Sequence, residues 1–140
     1  MGRAKKKNPA RAALNRAAEW LRRFARPSTL GQRGERAAER YLKRHGYRIM
    51  ERNFRAAGAE IDLIAMDGDT IAFIEVKTRS SDFAGSAEDA VDGRKAERMR
   101  RAARVFESRN RAGNAPMRFD VVAIRADGRR MKIDLLKDAF

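Results

Sequence analysis

The chain has no cysteine and a single histidine, His45. Disulfides, thiolate zinc sites and a cysteine nucleophile are therefore excluded, and a His-built metal centre or a Ser-His-Asp triad has almost nothing to draw on. No apolar run approaches the roughly 20 residues of a membrane-spanning helix, and no signal-peptide core is present. Acidic residues are scarce at the start of the chain. Residues 1–30 hold nine Lys/Arg against one acid, Glu19, a net +8 within a total of +14. The expectation is a protein of the reducing cytoplasm with a polyanionic partner, nucleic acid first among them. A basic, solubilising surface accounts for the composition equally well.

The 140 residues suffice for one modest core. Residues 1–30 read as a basic extension. Within it, Leu14, Ala17, Ala18, Leu21, Phe24 and Ala25 make one apolar helical stripe. Four readings of this arm stay open: a nucleic-acid clamp, a membrane-surface helix, a helix packed on the domain, and a transit peptide. Trp20 stacks on a base or packs. Residues 31–140 read as the folded domain. A helix is expected from about Leu30 to His45, with Gly46 as its left-handed C-cap, Ala38, Tyr41 and Leu42 inward, and Glu35 on the same side. A strand over Tyr47–Phe54 follows, then a loop around Gly58 and a hairpin of residues 60–66 and 70–78. After a polar loop over 79–92, Asp92 caps a helix over Gly93–Ser108. Ala96, Met99, Ala103 and Phe106 form its inner face. Arg94, Lys95, Arg98, Arg100, Arg101 and Arg104 form its outer one. Strands over Arg118–Ile124 and Met131–Leu136 close the domain.

Two strands carry charge where a buried strand should be apolar: Glu60-Ile61-Asp62-Leu63-Ile64-Ala65 and Phe73-Ile74-Glu75-Val76-Lys77-Thr78-Arg79. Asp67-Gly68-Asp69 between them is a hairpin signal. With Gly68 and Asp69 as the loop, Met66 pairs with Ile71 and Asp62 falls opposite Glu75. Strand alternation places Asp62, Glu75 and Lys77 on one face with Ile64, Met66, Ile71 and Phe73. Adjacent carboxylates repel unless a cation lies between them. Phosphodiester hydrolysis calls for that arrangement, because the substrate is anionic and repels hydroxide. Mg²⁺, with Mn²⁺ as a substitute, prefers carboxylate, water and phosphate oxygens. Asp62, Glu75 and the Val76 carbonyl are the expected metal ligands. Lys77 is expected at the attacking water or phosphate, and Glu35 at a second metal or in the outer shell. Arg79, Arg94, Lys95, Arg98 and Arg101 suit nucleic-acid phosphates. A bare Glu-x-Lys is also common on solvated sheets. His45 and Asp120 are read as structural.

These residues resemble the PD-(D/E)xK nuclease superfamily. More narrowly, they resemble the bacterial YraN-like family, an uncharacterised group of predicted endonucleases similar to archaeal Holliday-junction resolvases. The carrying segments are Gly34-Glu35, Ala38, Tyr41-Leu42, Gly46-Tyr47, Arg52-Asn53, Glu60 to Ile64, Phe73 to Arg79, Val91 with Lys95, Arg118 to Val122, and Ala139-Phe140. The likeness covers residues 31–140. It implies an α/β, restriction-endonuclease-like core, a mixed central sheet flanked by helices, preceded here by a basic helical extension. It carries Glu35, Asp62, Glu75 and Lys77 over as the active site. Ala59 departs from the glycine usual before Glu-Ile-Asp. The expected activity is metal-dependent hydrolysis of DNA, with branched or structured DNA as candidate substrate and a homodimer for symmetric cutting. The alternative is a nuclease-like accessory protein that binds nucleic acid without chemistry.

Overall fold

The computed structural model describes residues 29–81 and 92–140. The basic arm, with its helical stripe and Trp20, and most of the polar loop after the hairpin lie outside the described residues. In chain order the elements are α1 (Leu30–Arg44), β1 (Arg48–Ala56), β2 (Ala59–Asp67), β3 (Thr70–Ser80), α2 (Gly93–Asn110), β4 (Met117–Asp127) and β5 (Arg130–Leu136). The five strands form one sheet in the order β1-β2-β3-β4-β5. Only β3 and β4 run parallel; the other pairs are antiparallel. A parallel pair needs a long crossover, and α2 supplies it.

Each helix covers one face of the sheet. Thr29 and Gln32 start α1 with a reciprocal capping box. Gly34, Ala37, Ala38 and Leu42 form its buried side. They pack with Tyr47, Leu63, Ala65, Ile74, Val122 and Ile124. On the opposite face Met99, Ala102, Ala103 and Phe106 of α2 pack with Phe54, Ile61, Ile64, Ile71 and Phe73. Phe106 meets Phe54 and Phe73 edge-on at 5.5 and 5.8 Å, and Phe119 links Phe73 to Phe140 at 5.4 and 5.3 Å. With helices on both sides, β3 is buried from Ile71 through Glu75 without a break. The edge strand β1 is mostly exposed and the edge strand β5 half-buried, and the Arg and Lys they carry blunt edge-to-edge pairing.

Two boundaries differ from expectation. The expected loop around Gly58 is a tight hairpin, since Arg55 pairs with Glu60 and Ala56 with Ala59. Ala57 and Gly58 both take positive φ, 50° and 75°, which lets two residues turn the chain. β3 and β4 also run longer than expected, staying paired out to Ser80 and Ala126. Tertiary pairing extends them through the polar residues Arg79, Ser80 and Arg125.

Candidate active site

The β2–β3 register is the one expected: Asp67 pairs with Thr70, Met66 with Ile71 and Leu63 with Ile74. One step further, the same register sets Asp62 opposite Glu75, but the ladder has ended. Asp62 Oδ2 instead accepts the backbone N–H of Val76 at 2.7 Å. A residue's N–H and C=O point to the same edge of its strand. The Val76 carbonyl is therefore aimed toward β2 as well, at the point where the strands part. On the other side of Asp62, Asn53 of β1 takes a left-handed φ of 50°, in the register position facing Asp62. Asn tolerates that conformation better than most residues. Asp62 thus sits where regular pairing gives way on both sides.

Glu75 is only 4 % exposed. Its Oε1 accepts from Lys95 Nζ and lies 3.2 Å from Lys77 Nζ. The site therefore gathers two carboxylates and two ammonium groups. Burial pushes the Asp62 carboxyl up, to about 7, with the neighbouring charges of Glu75 and Glu35 adding to the rise. The N–H of Val76 and the charge of Lys95 work against it. A carboxyl held this way gains from a nearby cation.

Lys95 departs from its expected place on the outer face of α2. The helical phase explains why: Lys95 precedes Met99 by four residues and Ala102 by seven, and both are fully buried. Its side chain therefore runs along the inner face and reaches Glu75. Glu35 comes from α1, on the opposite face of the sheet. Its charge is felt at Asp62, but among the described residues no group of three or more His, Cys, Asp or Glu side chains could hold a metal ion. Two carboxylates and a carbonyl are the donors the site could offer a cation. That suits Mg²⁺, which keeps several waters and commonly takes one or two carboxylates. The ammonium groups on Glu75 occupy the place a cation favours.

Arg79 follows Glu75 and Lys77 on the same face of β3. Arg94, Arg98 and Arg101 make a stripe on exposed α2 and, with Gly93 and Glu97, line a shallow depression of about 410 Å³. Because α2 begins beside Glu75, this basic stripe starts at the site and leads away from it. Asp120, fully buried, is a structural anchor. It accepts from Arg118 at 2.8 and 2.9 Å and from the N–H of Asp138 at 2.9 Å. His45 is also structural: it closes α1 and its Nδ1 lies 2.8 Å from the Tyr41 carbonyl.

One close contact carried no signal in composition or spacing. Gly34 presses on β3 so tightly that a Cβ there would lie 1.7 Å from Thr78 Oγ1. That hydroxyl is buried with no hydrogen-bond partner among the described residues. The contact fixes α1, and with it Glu35, against the strand that carries Glu75 and Lys77.

A mixed sheet covered by one helix on each face, with acidic residues where two central strands part, defines a restriction-endonuclease-like core. The chain belongs to the Uncharacterised protein family UPF0102, which it matches over residues 34–124. A UPF0102 protein of Geobacter metallireducens is 44% identical over 112 residues, covering 80% of this chain and 92% of its own length. One of Moorella thermoacetica is 49% identical, covering 79% of this chain and 93% of its own. One of Solibacter usitatus is 43% identical over 129 residues, covering 91% and 97%. No helix among the described residues is long and apolar enough to cross a membrane.

Proposed function

We propose that this chain is a metal-dependent endonuclease that hydrolyses phosphodiester bonds in DNA and acts in the cytoplasm. The observation that carries the reading is Asp62 accepting the N–H of Val76 where the β2–β3 ladder ends, next to Glu75 with Lys77 Nζ 3.2 Å from it. Asp62, Glu75 and Val76 would hold Mg²⁺, or Mn²⁺, which when bound supplies charge neutralisation at the phosphate and a more acidic water. Lys77 Nζ donates hydrogen bonds to the attacking water or to the phosphate oxygen that gains charge in the transition state. Lys95 neutralises Glu75 in the metal-free protein. Once released from it, Lys95 is positioned to meet the substrate phosphate. Glu35 acts from outside the ligand set, through its field at Asp62. Arg79, Arg94, Arg98 and Arg101 hold the phosphate backbone without reading sequence. Cutting a symmetric branched substrate would take a homodimer.

A second reading has its own support. Glu75 is already satisfied by two lysines, as expected of a nucleic-acid-binding protein that uses its acids only to hold itself together. Cleavage separates the two. Duplex, single strand, flap and four-way junction are each incubated with Mg²⁺, Mn²⁺ or EDTA, for wild type and Glu75→Gln. The expected result is metal-dependent cutting that Glu75→Gln loses by more than the roughly 10–100-fold that an outer-shell partner is worth. Cutting by Glu75→Gln at the wild-type rate overturns the mechanism. Binding without cutting under every metal condition selects the second reading.

A further inference from the structure

We infer that the groove between α1 and β5, on the face of the sheet opposite Glu75, is a second track for a nucleic-acid phosphate backbone. This rests on the nucleic-acid reading above and extends it to a surface with no part in the chemistry. Arg33, Arg36, Arg40 and Arg44 fall at i, i+3, i+7 and i+11, one stripe along α1. At 1.5 Å rise per residue the stripe is about 16 Å long. It borders a groove of about 210 Å³ whose arginines are Arg40, Arg44 and, from the β4–β5 turn, Arg129. Tyr41, Met131 and Ile133 give the groove an apolar floor.

The other flank of α1 is charge-balanced, for Glu39 pairs there with Arg52 and Lys43, both at 2.6 Å. The groove flank is not: among the described residues Arg36, Arg40, Arg44 and Arg129 form no ion pair with a carboxylate. Arg44 has a local reason to exist, since a cation suits a helix C-terminus. Arg40 and Arg129 have none. Like charges gathered around one groove repel, and an anionic ligand relieves that repulsion.

Nucleic acid fits better than an acidic polypeptide because every cation of the groove is an arginine and the stripe is regularly spaced along the helix, which suits the evenly spaced phosphates of a backbone. The stripe begins at Arg33, on the side of α1 turned away from Glu35. Arg33 also donates to the Gly128 carbonyl at 2.9 Å, which ties the start of the stripe to the turn bearing Arg129. A linear polyanion lying along α1 can follow this track from Arg33 to Arg44.

Salt dependence is the test. Binding of the full chain to a fluorescent 30-base-pair duplex in EDTA is measured by anisotropy across a range of salt. Wild type is compared with Arg40→Ala/Arg44→Ala/Arg129→Ala and with the corresponding triple Lys variant, each checked for an unchanged Tm. Each lost phosphate contact lowers the slope of log affinity against log salt by about 0.9. The alanine variant should lose about 2 to 3 in slope, and the lysine variant should keep most of it. A folded alanine variant with the wild-type slope overturns the proposal, as does wild type that does not bind the duplex. If the alanine variant instead loses binding to polyglutamate while its DNA slope is unchanged, the groove takes an acidic polypeptide and the proposal falls. Incubating the same duplex with Mg²⁺ reads the nuclease separately. A slope lost in a protein that never cuts keeps the track and removes the nuclease. Cutting with an unchanged slope does the reverse.

Discussion

Asp62 shows how one buried charge works against stability. Its carboxyl is raised to about 7 by burial first and by Glu75 second. A carboxyl raised in the folded state favours folding in its protonated form. The metal-free protein therefore loses stability as pH rises from about 4, the ordinary carboxylate value, through about 7. Asp62→Asn removes the titrating charge, and its side-chain oxygen can still accept from Val76. In EDTA at pH 8 its Tm should exceed wild type by about 4 °C, what ~1 kcal/mol brings in a domain of this size. The gain should vanish at pH 4. Thermal unfolding at the two pH values checks this, and a wild-type Tm that rises with pH over this window would contradict it. The β2–β3 register was legible in the sequence, because Asp67-Gly68-Asp69 specifies a hairpin and a hairpin specifies its register; that the ladder stops one step before Asp62 and Glu75 was not. Lys95 was less legible: its charge favours the outer face of α2, whereas its helical phase, four residues before the buried Met99, turns it inward.

Among the elements, α1 is the one whose seat on the sheet matters most. Helix α1 is held to β3 by the absence of a side chain at Gly34. Added there, a Cβ would come 1.7 Å from Thr78 Oγ1 and 2.8 Å from Thr78 Cβ, so the helix must lift. Gly34→Ala should destabilise by about 1–3 kcal/mol, as overpacking does. Gly34→Ala/Thr78→Ala should recover part of that, since the nearest atom is gone. Urea unfolding of the single and double variants measures both effects, and an unchanged midpoint for Gly34→Ala would show that α1 can shift freely. Helix α1 itself was legible from Ala38, Tyr41, Leu42 and Gly46. Its height above the sheet was not, because Gly34 and Thr78 are 44 positions apart and nothing local marks their contact.

For the molecule as a whole, the end of the sheet away from the candidate site is closed by charge. Arg118 donates to Asp120 and, at 2.7 Å, to Asp67; Lys137 donates to Asp67 at 2.8 Å. The β2–β3 turn, the start of β4 and the chain after β5 are thereby joined, and the Ala139 N–H to Phe119 carbonyl bond seats the last residues at 2.8 Å. Lys137 and then Arg118 hold the Asp67 carboxyl down at about 2, and Arg52 and then Lys43 do the same for Glu39. Depressed carboxyls stabilise above the unfolded-state values near 4, and that stability is lost as pH falls from about 4 to about 2. Arg118→Leu leaves the fully buried Asp120 without its ion-pair partner, and should cost about 3–5 kcal/mol. Adding Asp120→Asn should return part of the loss. Urea unfolding at pH 7 reads the cost, and a loss under about 1 kcal/mol would mean that the Asp138 N–H suffices for Asp120.

What the sequence alone determined is local and periodic. Alternation and helical spacing located the strands and both described helices, Asp67-Gly68-Asp69 set the β2–β3 register, and the absence of cysteine with a single histidine left oxygen atoms as the candidate ligands. Only the tertiary structure decided which end of the sheet opens, that Lys95 reaches Glu75, that Glu35 approaches from the opposite face, and that Arg40, Arg44 and Arg129 share one groove. Those arrangements depend on how elements distant in the chain come to rest on one another. Packing decides that between surfaces, and the spacing of residues within one segment does not encode it.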